Sequence, residues 1–154
     1  MHFAVIVSNY HDFVTDRLRA GALAALAAAG VKADEVTVLD VPGAFEIPFA
    51  ARQAAETGRF AAIVCLGCLI KGETFHFEYI ASAVSTGIMD AAAESGVPMT
   101  FGVLTTSSVE QALERAGSGS TNKGWEAAEA AVRMATLFKQ LGRRAGLRIG
   151  GSNS

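Results

Sequence analysis

Phe60-Ala61-Ala62-Ile63-Val64-Cys65-Leu66 is an unbroken apolar run between Arg59 and Gly67. A strand with one wet face alternates apolar with polar residues, so a continuous run marks a strand covered on both faces. Such strands belong to parallel sheets, whose helical crossovers lie over the two sides. Working outward, Phe3-Ala4-Val5-Ile6-Val7 is a second such run, Glu35 to Val41 carries Val36, Val38 and Leu39, and Met99 to Leu104 follows Pro98. Between them lie alanine-rich segments with helical spacing. The first is Val14 to Ala29, with Leu18, Ala22 and Leu26 in register and Gly30 as its stop. The pattern predicts further helices over Phe45–Thr57, His76–Ser95, Val109–Ala116 and Lys123–Leu141, with loops at Gly67–Phe75 and Gly117–Thr121. Four strands separated by helices predict an α/β protein, a three-layer α/β/α sandwich around a four-stranded parallel sheet.

The chain of 154 residues is 51% apolar and 18% charged, enough for one core and unlike a disordered composition. A net charge of −2 gives no electrostatic reason to bind nucleic acid or an anionic membrane. No apolar run has bilayer length, and Met1-His2-Phe3 leads into a strand without a basic leader, so a cytoplasmic location is expected. Residues 1–141 read as one domain. Residues 142–154 hold glycines and arginines without apolar period and read as a loose basic tail, more simply a solvated end than a binding arm. Cys65-Leu66-Gly67-Cys68 has redox or half-zinc spacing, but no second pair or spaced histidines accompany it. Inside an apolar run a thiol acts as a small hydrophobe, the preferred reading here.

Ligands of open parallel sheets sit beyond the carboxyl ends of the strands. That rule selects Ser8-Asn9-Tyr10-His11, Val41-Pro42-Gly43-Ala44-Phe45-Glu46, Gly67 through His76, and Thr105-Thr106-Ser107. Tyr10 and Phe45 are rings in positions where turns are usually small and polar. They either stack on a flat heterocycle or cover the sheet edge. Gly72-Glu73-Thr74 precedes a helix whose first amides can hold an anion, with the Thr74 hydroxyl added and the Glu73 side chain turned away. His76 falls in that first turn, where the helix dipole favours a neutral ring able to accept a proton, although a lone histidine there is more often a surface or cap residue. Asn122 can cap the last helix and Glu126 can complete the cap. Lys123 is disfavoured beside the helix dipole, which marks either a local anion or partner carboxylate or, more commonly, a simply solvated lysine, while Arg115 suits a helix C-terminus and needs no function.

Val41-Pro42-Gly43-Ala44-Phe45-Glu46-Ile47-Pro48, Gly67-Cys68-Leu69-Ile70-Lys71-Gly72-Glu73-Thr74-Phe75-His76-Phe77-Glu78-Tyr79, Phe101-Gly102-Val103-Leu104-Thr105-Thr106, Glu114-Arg115-Ala116-Gly117 and Asn122-Lys123-Gly124-Trp125-Glu126-Ala127-Ala128 occur in an order and spacing that resemble the lumazine synthase family, from about Phe3 to Leu141. The resemblance implies a flavodoxin-like sandwich assembled into pentamers, with active sites between subunits and riboflavin synthase as a candidate partner. It implies condensation of 5-amino-6-(D-ribitylamino)uracil with 3,4-dihydroxy-2-butanone 4-phosphate to 6,7-dimethyl-8-ribityllumazine, a transferase step releasing phosphate and water. No cofactor or metal is implied. Carried over by position, Tyr10 stacks on the pyrimidine and Ala44, Phe45 and Glu46 line the ribityl end. Cys68, Leu69 and Ile70 offer backbone contacts to the ring. Glu73 and Thr74 hold the phosphate, and His76 transfers protons. Phe101 and Arg115 come from the neighbouring subunit, Arg115 to the phosphate, with Lys123 a weaker candidate in the same region.

Some positions depart from the family pattern. Tyr10 replaces the usual phenylalanine or tryptophan, His11 an asparagine, and Asn9 and Lys71 arginines. The chain starts close to its first strand, whereas shell-forming relatives often carry an extra N-terminal segment, so pentamer, decamer and shell all remain open. A flavin carrier or an inactive shell protein would share the fold. Neither needs a proton carrier or a clamp for a small sugar phosphate, which favours the enzyme.

Overall fold

The computed structural model describes residues 1–72 and 76–142. Strand β1 (Phe3–Ser8) leads to helix α1 (Asp12–Ala28), β2 (Val36–Val41) to α2 (Ile47–Glu56), and β3 (Ala62–Ile70) to α3 (Phe77–Ser95). Then β4 (Met99–Thr106) is followed by the short α4 (Val109–Arg115) and by α5 (Lys123–Gln140). The sheet is wholly parallel in the order β2-β1-β3-β4, as the apolar runs predict. The expected tail lies outside the described residues beyond Gly142.

One expectation needs correction. Gly67 to Ile70 is strand, not loop, and β4 likewise runs on to Thr106. Gly67 reads as a strand breaker, yet here it makes room. A Cβ on it would lie 3.0 Å from the Ile47 side chain and 3.1 Å from the Ser8 hydroxyl.

Alternation along the strands feeds two cores. Phe3, Val5 and Val7 with Val64 and Leu66 pack under Leu18 and Leu26 of α1 and the alanines of α5. Ala4, Ile6, Ile63 and Cys65 pack under Ile47 of α2 and Val84 and Ile88 of α3. Each fully buried Leu, Ile or Phe side chain contributes about 1.5–3 kcal/mol. Residues three apart on a strand face opposite ways, so Cys65 belongs to one core and Cys68 to the other. Neither is in a disulfide, and burial pushes the Cys65 thiol up to about 12. A disulfide between them is geometrically excluded, in agreement with the reading of both as core residues.

Local signals place the helix ends. Gly96 ends α3 in the left-handed conformation at φ 72°, and Pro48 lies in the first turn of α2, where a missing N–H costs nothing. The strand order reverses direction between β1 and β3, so a crevice opens above their carboxyl ends.

Candidate active site

The crevice rim is built from three strand ends. Asn9 N donates to Val41 O at 2.8 Å and Tyr10 N to Pro42 O at 3.1 Å, which ties the loop after β1 to the end of β2. Tyr10 and Phe45 are each 63% exposed, so these rings stand clear of the core. Ala44 is buried beneath the rim while Glu46, beside Phe45, is exposed.

The extension of β3 matters most. Its pairing with β1 ends at Val7 with Leu66, whereas its pairing with β4 continues to Ile70 with Thr106. Beyond Leu66, β3 therefore overhangs its inner neighbour. An overhanging strand presents backbone donors and acceptors in a row, a suitable edge for a heterocycle carrying both. Cys68, Leu69 and Ile70 occupy that overhang, with Cys68 and Ile70 side chains buried and Leu69 half-buried.

His76 is the N-cap residue of α3, exposed at the rim, and its carbonyl accepts from Ile80 N at 2.9 Å. Glu73 and Thr74, expected at the phosphate, lie outside the described residues.

Phe101, Arg115 and Lys123 are elsewhere. They line a cleft of about 470 Å³ along edge strand β4, together with Thr105, Glu126 and Ala127, and none of the rim residues lines it. Phe101 is 47% exposed. Arg115 ends α4 and Lys123 begins α5. Lys123 Nζ has the anion its position calls for, Glu126 Oε1 at 3.2 Å. Glu126 thus does not complete the helix cap as expected, because its carboxylate takes the lysine. Arg115 forms no ion pair among the described residues, which leaves its guanidinium available to an anion.

Asn122 sets the position of both cations. It is 2% exposed, and its Oδ1 accepts from Gly124 N at 2.7 Å and Trp125 N at 3.1 Å. Its Nδ2 donates to Gly117 O at 2.8 Å and to Arg17 O of α1 at 3.1 Å. One amide thereby caps α5, fixes the turn after Arg115 and fastens both to α1.

Thr100 is a cleft-lining residue that pattern reading passes over. Its hydroxyl is buried in the β4 cleft and has no hydrogen-bond partner among the described residues. A polar residue at an inward strand position is the signal that marks it. Among the described residues no group of three or more His, Cys, Asp or Glu side chains gathers as a metal site, and no helix is long and apolar enough to cross a membrane.

A sequence model of the 6,7-dimethyl-8-ribityllumazine synthase family matches residues 1–139. The chain is 48% identical over 141 residues to the 6,7-dimethyl-8-ribityllumazine synthase of Syntrophus aciditrophicus (strain SB), spanning 92% of each chain. It is 49% identical over 139 residues to that of Salinibacter ruber (strain DSM 13855 / M31), spanning 90% of this chain and 89% of the relative.

Proposed function

The chain belongs to the 6,7-dimethyl-8-ribityllumazine synthase family and is an enzyme of riboflavin biosynthesis with that synthase activity, and from this premise we propose how its residues divide the work between two copies. The rim of one copy takes the ribitylaminopyrimidine. Tyr10 stacks on the ring, the β3 overhang at Cys68, Leu69 and Ile70 meets its polar edge, and Ala44, Phe45 and Glu46 receive the ribityl chain. The β4 cleft of a second copy closes the site, with Phe101 toward the ring and Arg115 toward the phosphate of the four-carbon sugar. Glu73 and Thr74 complete the phosphate site, and Lys123, already balanced by Glu126, contributes less. A closed ring of copies, a pentamer in this family's pattern, repeats the arrangement.

The observation that carries this reading is the separation of the site residues of one chain into a rim and a cleft with no shared lining. A single chain has half of each of two sites, and apposing copies makes whole ones.

The pyrimidine amine is nucleophilic and the sugar carbonyl electrophilic, so holding them together supplies much of the acceleration. His76 moves protons as the imine forms with loss of water, as phosphate leaves, and as the second amine closes the ring on the remaining carbonyl with loss of a second water. Arg115 balances the departing phosphate charge. The test is steady-state turnover of the two substrates, read as lumazine absorbance and released phosphate. His76→Ala is expected to slow turnover about 10²-fold, the low end for acid–base help, because water can relay protons. A folded His76→Ala enzyme at the wild-type rate would remove His76 from the proton path.

A further inference from the structure

The loop that carries Tyr10 turns through a left-handed residue. His11 has φ 63° and ψ 47°, and glycines aside it is alone among the described residues in having a positive φ. Histidine, like asparagine and aspartate, enters this region more readily than most side chains do, so the interest of the turn lies in where it puts the side chain. The side chain is an imidazole between two rings. Its centroid is 4.5 Å from that of Tyr10 at 63° and 5.8 Å from that of Phe13 at 88°, both edge-to-face.

Resting on the function proposed above, we infer that His11 is a positioning residue for the aminopyrimidine, acting through the ring of Tyr10. Consecutive side chains of an extended chain point to opposite sides, so the left-handed turn is what brings rings 10 and 11 together. The backbone around them is fixed at both ends. Tyr10 N is held by Pro42 O, and His11 O accepts from Val14 N and Thr15 N at the start of α1. Tyr10, 63% exposed, has little core packing to hold its ring, and the edge of His11 supplies a fixed wall. Phe13 backs the imidazole from the helix side. A ring that stacks on substrate gains most when its orientation is set before binding, since ordering it afterwards subtracts from affinity. The substrate class concerned is therefore the flat pyrimidine, and the sugar phosphate is untouched.

The experiment measures both substrate KM values and kcat for wild type, His11→Gly, His11→Asn and Tyr10→Ala, and for His11→Gly in the Tyr10→Ala background. Gly and Asn both accept the left-handed turn, so they remove the ring without adding strain. For both, the pyrimidine KM is expected to rise roughly 3- to 10-fold, the scale of an aromatic pair, with the sugar phosphate KM unchanged and kcat within about twofold. In the Tyr10→Ala background the same change is expected to add less than about twofold, because the ring it orients is gone. An unchanged pyrimidine KM, a rise shared by both substrates, or an undiminished effect in the Tyr10→Ala background overturns the inference. A lower melting temperature without the KM shift makes His11 a helix cap only. Wild type is assayed first: absent turnover strikes the proposed function and this inference together, whereas an active wild type with an indifferent His11→Gly strikes this inference alone.

Discussion

Where α1 crosses α5, a methyl group on Gly124 would lie 2.0 Å from the Leu18 carbonyl oxygen. On the opposite face of the sheet, Phe49 of α2 and Tyr79 and Met89 of α3 stand 72%, 79% and 72% exposed. The inner seam of that second layer is closed as well. A Cβ on Gly87 would meet Pro48 at 2.9 Å, and Arg52 pairs with Glu56 and Glu94 across its surface. The layers differ in their outer surfaces. On α1 and α5 no large apolar side chain among the described residues exceeds the 46% exposure of Phe13. The α1 and α5 layer keeps its large apolar side chains better covered within the chain, whereas the α2 and α3 layer largely exposes three of them. Clusters of this kind mark contact surfaces. That more exposed layer also bears Phe45, Glu46 and His76, the residues to which we propose a second copy brings Phe101 and Arg115.

The better-covered layer gives the largest expected effect. Gly124→Ala forces carbon against a backbone carbonyl that cannot swing away, and is expected to cost about 3 kcal/mol or more, above the usual overpacking range. Denaturant unfolding measures it; near-wild-type stability would mean that the two helices part cheaply. Asn122→Ala comes next. It uncaps α5 and removes the Nδ2 donor from Gly117 O and from Arg17 O, the latter keeping only its bond within α1, an expected loss of about 2–3 kcal/mol. The KM for the sugar phosphate should rise with it, because Arg115 and Lys123 flank the loosened turn. The smallest effect on the fold belongs to the more exposed layer. Tyr79→Ser should change the stability of the isolated chain by less than about 0.5 kcal/mol, as an exposed substitution does. Its consequence should appear in sedimentation, as assemblies that come apart at higher protein concentration than wild type. An unchanged sedimentation profile would mean that this face is not covered.

Much of the better-covered layer was legible in the sequence. Continuous apolar runs gave the parallel sheet because burial on both faces leaves no polar alternation, and Asn122 was readable as a cap. The reach of its amide to Arg17, 105 positions away, was not, since local pattern has no access to a helix crossing. Gly67 misled because a strand glycine chosen for close approach looks like a breaker. The strand-end rule together with the family resemblance points to Tyr10, Phe45, Glu46 and His76, all of them exposed near strand ends. Arg115 drew only a helix-end explanation from its own position, since the cleft it lines is made by a strand and two helices. His11 reads in sequence only as a departure from the family pattern, because its positive φ and the ring contacts that follow from it are not legible in local pattern. The bare surface of Phe49 and Tyr79 was illegible for a related reason. Apolar residues in a helix predict burial, and the sequence does not say in which chain.

The division of the site between copies is tested most directly by mixing two inactive variants. Glu46→Lys spoils the rim and Arg115→Glu spoils the cleft, so each alone should be nearly dead. In a closed ring every interface pairs one face of a chain with the other face of its neighbour. Equal amounts unfolded together and reassembled at random should place two intact halves at about a quarter of interfaces. Activity is expected to return to roughly that fraction of wild type. A mixed assembly, confirmed by mass, that stays dead would contradict the shared site and place both halves of the chemistry within one chain.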